Sequence, residues 1–334
     1  MSVDKASLPP PPRLIGSLLA GFEAVANNIT VIILPVLLDL FLWMGPHLRL
    51  KSFFQPLIAE LPSMQLPVLP GAPGNAAIAE QWAAFTEGFN LFVLLRTFPV
   101  GTPSLLASLA NLQAGGLPVG SPLRGGLDLD AGMIIDLAAW GLLLLLAGWL
   151  VGGLYYYWVS GVSLKPEPRR FGRLVGQSVL LSAFWIAVLA AVGLPALLLF
   201  TVVMLVSPLL GELMLFILAM FALWLILPVF FSPHGIFTYQ HNAMQALRNS
   251  LRLVRFTLPN SGMFLLAIFV IGQGLNMLWH TPPETSWWLL IGIAGHAFIS
   301  TALLAASFIF YRDQDAWLRT VLEQLKSRTT PAQA

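Results

Sequence analysis

Four ionisable side chains stand where apolar residues otherwise dominate: Asp39, Asp136, Glu212 and His296. An ionisable group in hydrocarbon is costly, so each needs a partner or a task. Asp39 lies in the run Leu34-Pro35-Val36-Leu37-Leu38-Asp39-Leu40, Asp136 just inside a long apolar stretch, and Glu212 shortly after Ser207-Pro208. All three carboxylates fall in the outer half of their stretches. Together they could form a cation site or bind Arg96 and Arg124. The competing reading is structural. Asp136 and Glu212 sit near helix starts, where the macrodipole favours anions, and Asp39 is expected to pair with an arginine or a hydroxyl. His296 follows Gly292 and Gly295, which admit a close neighbouring helix, so its ring is expected to hydrogen-bond across that contact. A proton relay is the alternative, because imidazole titrates near neutrality.

A second kind of chemistry is cationic. Arg248, Arg252 and Arg255 recur at i, i+4 and i+7 within 240–256, beside a stripe of Met244, Leu247, Leu251 and Val254. A helix of this pattern lies flat on a membrane, with apolar side chains in the acyl boundary and guanidinium groups at lipid phosphates. The expected partners are the bilayer and its anionic headgroups, or a membrane-protein partner docked on the same face. No P-loop, G-x-S-x-G, H-E-x-x-H or G-x-G-x-x-G motif is present. There is no cysteine, which removes thiolate metal sites and cysteine nucleophiles. His234 and His241, seven apart, would share a helix face if unbroken, but no carboxylate stands near enough in sequence to complete a metal site. No catalytic, cofactor or metal residues are expected.

The elements that must position these groups are membrane spans. Of 334 residues, 57% are hydrophobic and 10% charged, and mean hydropathy is +0.80. Soluble domains run at about 45–50% apolar and about 25% charged. A cytosolic enzyme, a disordered chain and a nucleic-acid-binding domain are excluded, since an aqueous globule of this composition could not cover its surface. A crossing helix needs about 20 apolar residues. Six stretches qualify: 29–45, 133–159, 174–206, 209–231, 262–279 and 287–310. The third is too long for a straight crossing and is expected to tilt, to kink near Pro195 or to start as an interfacial turn. The fold class is therefore all-α, a polytopic helix bundle with interfacial amphipathic helices. Gly148-x-x-x-Gly152 in the second stretch is a helix-packing signal.

Six spans divide the basic residues unequally. Lys5, Arg13, Lys165, Arg169, Arg170, Arg173, Arg248, Arg252, Arg255, Arg312, Arg319, Lys326 and Arg328 fall on one side; Arg49, Lys51, Arg96 and Arg124 fall on the other. The positive-inside rule places both termini in the cytoplasm of a plasma-membrane protein. Residues 1–28 then form a cytoplasmic N-terminus with an interfacial helix at 14–26. Residues 46–132 form an outer amphipathic region, with a helix over 76–98, a smaller piece at 105–112, and a breaker-rich linker from Pro62 to Gly74. Residues 133–310 hold the remaining spans. Residues 311–334 form an amphipathic tail in which Asp315 pairs with Arg319 at i, i+4.

The stretch Ala246-Leu247-Arg248-Asn249-Ser250, followed by Leu253-Val254-Arg255 and a span, resembles a segment of bacterial multi-pass families. These include the membrane domain of some glycerophosphodiester phosphodiesterases and similar uncharacterised six-span proteins. The run Leu34–Leu40 resembles uncharacterised bacterial membrane proteins. The resemblance implies a membrane module; no phosphodiesterase catalytic domain accompanies it. The expected function is an accessory or scaffold module that binds lipid or a membrane partner. The alternative is a small-solute or ion transporter that uses the outer-leaflet carboxylates.

Overall fold

The computed structural model describes residues 9–63, 74–107, 128–130, 132–164, 170–283 and 285–329. Lys5, Arg124, Lys165, Arg169, most of the linker before Gly74, the stretch 108–112 and the tail beyond Thr329 lie outside the described residues. The rest is a helix bundle. Helices α1 (Leu14–Ala26) and α2 (Ile33–Met44) flank a 3₁₀ turn at Ile29–Ile32. Next come α3 (Lys51–Glu60) and α4 (Asn75–Gly88). The long helices are α5 (Ile134–Leu164), α6 (Phe171–Val188), α7 (Leu194–Val206), α8 (Pro208–Tyr239), α9 (Ala243–Trp279) and α10 (Leu289–Thr329). Two short parallel strands, β1 (His47–Arg49) and β2 (Asp128–Asp130), pair His47 with Asp128.

Five helical stretches are long and apolar enough to cross a membrane: α5, the α6–α7 run, α8, α9 and α10. The α1–α2 pair makes a sixth if taken as one span bent by 93°. The chain thus fits a multi-pass membrane protein, and many leucines and phenylalanines along these helices are exposed. The helix expected over 29–45 is present as Ile29–Met44, entered through the 3₁₀ turn, and it is long enough to span only together with α1. Asn28 Nδ2 donates to the Ala24 carbonyl at 3.1 Å, so its amide satisfies the end of α1 and the chain turns there. Helix α1 is held against the bundle. It packs on α10 through Gly21, where a Cβ would come within 2.5 Å of Ala306 Cβ and 2.6 Å of the Ala302 carbonyl oxygen. Small residues on both sides let the two backbones approach.

The kink expected near Pro195 takes the form of a π-turn at Leu189–Gly193. Proline has no N–H and crowds the carbonyl four residues back, and a widened turn just before it absorbs both effects. Helix α8 begins as its sequence suggests, with Ser207 as N-cap and Pro208 in the first turn. It ends at Tyr239, because Gln240 takes a left-handed conformation (φ 56°). His241 therefore leaves the helix and does not share a face with His234.

The surface helix over 240–256 and the span over 262–279 are two halves of α9. Asn242 and Gln245 form a capping box at its start. The break falls at Thr257, whose backbone is non-helical, two residues before Pro259. Thr257 Oγ1 donates to the Leu253 carbonyl at 2.7 Å and lies 2.8 Å from Ser261 Oγ. The last span and the tail helix are likewise one element, α10, and its Asp315 pairs with Arg319 at 2.7 Å.

Aromatic packing closes the bundle. Phe264 of α9 stacks on Phe310 of α10 with centroids 4.0 Å apart, and Phe231 of α8 packs against Phe310 and Tyr311. Tyr155 of α5 donates to Thr301 Oγ1 of α10 at 2.9 Å. In contrast, α7 and the first half of α8 stand clear of this core as a hairpin. Leu198, Val206 and Leu209 are 68%, 79% and 75% exposed.

In the outer region the expected helix over 76–98 stops at Gly88. Asn90 Oδ1 accepts the N–H groups of Phe92 at 3.2 Å and Leu48 at 3.0 Å, so its side chain caps a new 3₁₀ turn at Leu91–Leu95. The aromatic stripe of α4 meets α3: Trp82 stacks on Phe54 at 5.9 Å and continues through Phe85 to Phe89.

Candidate functional site

After the 3₁₀ turn the chain does not leave the bundle. Leu91 and Phe92 are buried with Leu42, Trp43 and Leu144, and the next residues run along α5. A Cβ on Gly148 would meet Thr97 Cγ2 at 2.5 Å and the Leu95 carbonyl oxygen at 2.7 Å; one on Gly152 would meet Gly101 Cα at 2.7 Å. Tyr156 donates to the Pro99 carbonyl at 3.3 Å. The glycine spacing read as a helix-packing signal receives an irregular backbone instead. Gly148 and Gly152 lie well inside a candidate span; taken as a span, that helix makes residues 91–107 a re-entrant segment. Non-helical backbone at membrane depth is tolerated only when protein buries it or it lines a wet cavity. Here Val100, Thr102, Ser104 and Leu105 are buried.

Asp39 holds the return of this segment. It is wholly buried. Ser104 Oγ donates to Oδ1, the Leu105 N–H to Oδ2 at 2.9 Å, and the Leu106 N–H to Oδ1 at 3.2 Å. The Ala107 N–H then donates to Ser104 Oγ at 3.0 Å, and Arg96 Nη1 donates to the Ala107 carbonyl. The Arg96 charge also acts on Asp39. Three donors occupy most of the roughly four lone-pair directions of a carboxylate. This is the hydroxyl partner expected for Asp39, with backbone donors added. It makes the carboxylate a cap on a turn and leaves little of it for a cation.

The other acidic residues do not join it. Asp136 is exposed in the first turn of α5, and Glu212 is exposed close to the start of α8. Both face outward at helix N-termini, so the three carboxylates do not form one site. Among the described residues no group of three His, Asp or Glu side chains could hold a metal. His296 does not make the interhelical bond expected of it, since its Nε2 has no hydrogen-bond partner among the described residues. Gly292 and Gly295 admit Trp279 instead of a polar neighbour, and the charges near the imidazole are Arg96 and His280. His234, by contrast, is buried and bonded to Ser307 Oγ at 2.7 Å.

The cationic face is exposed, and a different stripe of the same helix packs on the protein. Ala246, Ser250, Leu253, Val254 and Thr257 turn into the bundle, and Ser250 Oγ donates to the Pro228 carbonyl at 2.8 Å. Of the stripe expected in the acyl boundary, Met244 and Leu251 are exposed, Leu247 is half-buried and Val254 is buried in the bundle. Arg248, Arg252 and Arg255 are exposed beside them. Sequence reasoning missed Ser104, Gly101 and the internal role of Arg96. The small polar run Gly101-Thr102-Pro103-Ser104 between apolar residues was the available signal.

The set of long apolar helices fits a multi-pass helical membrane protein. No protein-family model, curated protein or solved structure matches this chain.

Proposed function

We propose that the protein is a non-catalytic accessory or scaffold module of the plasma membrane that binds anionic lipid on its cytoplasmic face. The observation that carries this reading is the outer face of the first half of α9. Exposed Arg248, Arg252 and Arg255 alternate there with exposed Met244, Leu251 and Phe256. Apolar side chains enter the acyl boundary while guanidinium groups stay at headgroup depth, each basic residue contributing about 1 kcal/mol at an anionic surface. Replacing all three arginines with glutamine should remove roughly 3 kcal/mol of that attraction. The check is the lipid retained in polymer-excised membrane discs. Phosphatidylglycerol enrichment around the parent chain should fall to the bulk ratio in the variant, and unchanged enrichment would reject the reading.

The same reading sets the orientation. A reporter active only outside the cytoplasm should stay silent when fused after Ala334 and turn on when inserted at Ser207, between α7 and α8. The opposite pattern would move the arginine face to the outside. A second reading, transport, is favoured by one observation: the broken α1–α2 pair and the re-entrant segment meet at Asp39. Interrupted spans are how many transporters build a site near the bilayer midplane.

A further inference from the structure

The first half of α9 and the cytoplasmic part of α10 enclose a small cleft of about 90 Å³. Its apolar floor is Leu253, Leu318 and Leu322, and its polar rim is Asn249, Arg252, Asp315 and Arg319. Asp315 is neutralised by Arg319 at 2.7 Å, and that guanidinium also lies 5.0 Å over the ring of Tyr239. Asn249 Nδ2 is 3.2 Å from His241 Nδ1. Burial and the nearby Arg319 hold this imidazole below its usual range, so the neutral ring accepts from the amide. Arg252 is different. It lines the cleft, yet no hydrogen bond or ion pair engages it among the described residues. With Asp315 offset by Arg319, the rim keeps one uncompensated positive charge above three leucines.

A planar fork of donors suits phosphate oxygens, and a leucine floor suits the glycerol and first methylenes of a lipid. Exposed Met244 and Leu251 on the same helix set the cleft at headgroup depth. We propose that this cleft is a phosphate subsite for an anionic phospholipid, with Arg252 as the ligating cation and Asn249 and Arg319 flanking it. It deepens the lipid-binding reading above and rests on it. The diffuse attraction of three arginines becomes one defined site.

The experiment is native mass spectrometry of the full chain in detergent, with dioleoyl phosphatidylglycerol, dioleoyl phosphatidylcholine or inorganic phosphate added in separate arms. The parent chain should retain one phosphatidylglycerol in preference to phosphatidylcholine. Arg252→Gln should weaken that retention about tenfold and Arg252→Lys about threefold, because lysine keeps the charge without the fork. Arg248→Gln, on the same helix but outside the cleft, removes only its share of the diffuse attraction and should weaken retention less than Arg252→Gln does, by about fivefold at most. The lysine variant keeps the test open if the glutamine variant does not fold. Equal losses at Arg248 and Arg252 would overturn the cleft while leaving the surface attraction standing. No loss in either variant would overturn both. Retention of inorganic phosphate without phosphatidylglycerol would overturn the lipid as its source.

Discussion

Gly152→Val should expel the re-entrant segment from the bundle. The added Cβ would stand 2.7 Å from Gly101 Cα and 3.0 Å from the Val100 carbonyl oxygen. Both neighbours are backbone, with no flexible side chain to yield. Overpacking of a filled interior costs about 1–3 kcal/mol and sometimes more. The readout is clean because the chain has no native cysteine. In a Thr102→Cys background that site is 1% exposed, so a water-soluble maleimide should label it slowly. Adding Gly152→Val should raise the labelling rate tenfold or more and lower the thermal midpoint in detergent. Gly141→Val is the internal control, since a Cβ there meets nothing within 4 Å. Equal labelling in both variants would show that Gly101 does not rest on Gly152.

Asp39→Leu should be nearly as damaging by a different route. It strands the Ser104 hydroxyl and the Leu105 N–H in an apolar interior and takes one acceptor from the Leu106 N–H. Each buried donor left without an acceptor costs about 1–3 kcal/mol, so a loss of roughly 3 kcal/mol or more is expected. Asp39→Asn keeps one acceptor oxygen and should lose about half as much. Thermal unfolding in detergent checks the order parent, asparagine, leucine. The asparagine variant also separates the two functional readings. In proteoliposomes, a flux carried through the carboxylate should collapse with Asp39→Asn, and an unchanged flux would dispose of transport through this residue.

Much of the architecture was legible because span length, caps and prolines act locally. Ser207-Pro208 starts α8, Pro195 brings a π-turn before it, and Asp315 finds Arg319 on the same helix. The re-entrant segment was not legible for the opposite reason. Leu91–Leu95 is too short to cross, and its partners Asp39 and Gly148 lie about fifty residues away on either side. Gly148 and Gly152 were recognised as a packing surface, but spacing alone does not say whether a helix or a loop will fill it. The bundle-facing side of α9 was not legible for a further reason. In water, periodicity separates core from surface. In hydrocarbon, the stripe facing lipid and the stripe facing protein are both apolar, and the inner one is marked by small and hydroxylated residues. Ala246, Ser250 and Thr257 carry that mark; Met244 and Leu251 do not.

The hairpin that stands clear of the core has its own consequence. Leu189–Val206 rises roughly 27 Å at ~1.5 Å per residue, slightly short of a hydrocarbon layer of about 30 Å. With α7 packed chiefly on α8 and both exposed along this length, no rigid neighbour dictates the tilt of the pair. Hydrophobic mismatch does, at fractions of a kcal/mol per Å. These two arms should therefore adjust their tilt to acyl-chain length more readily than α9 and α10, which the Phe264–Phe310 stack ties together.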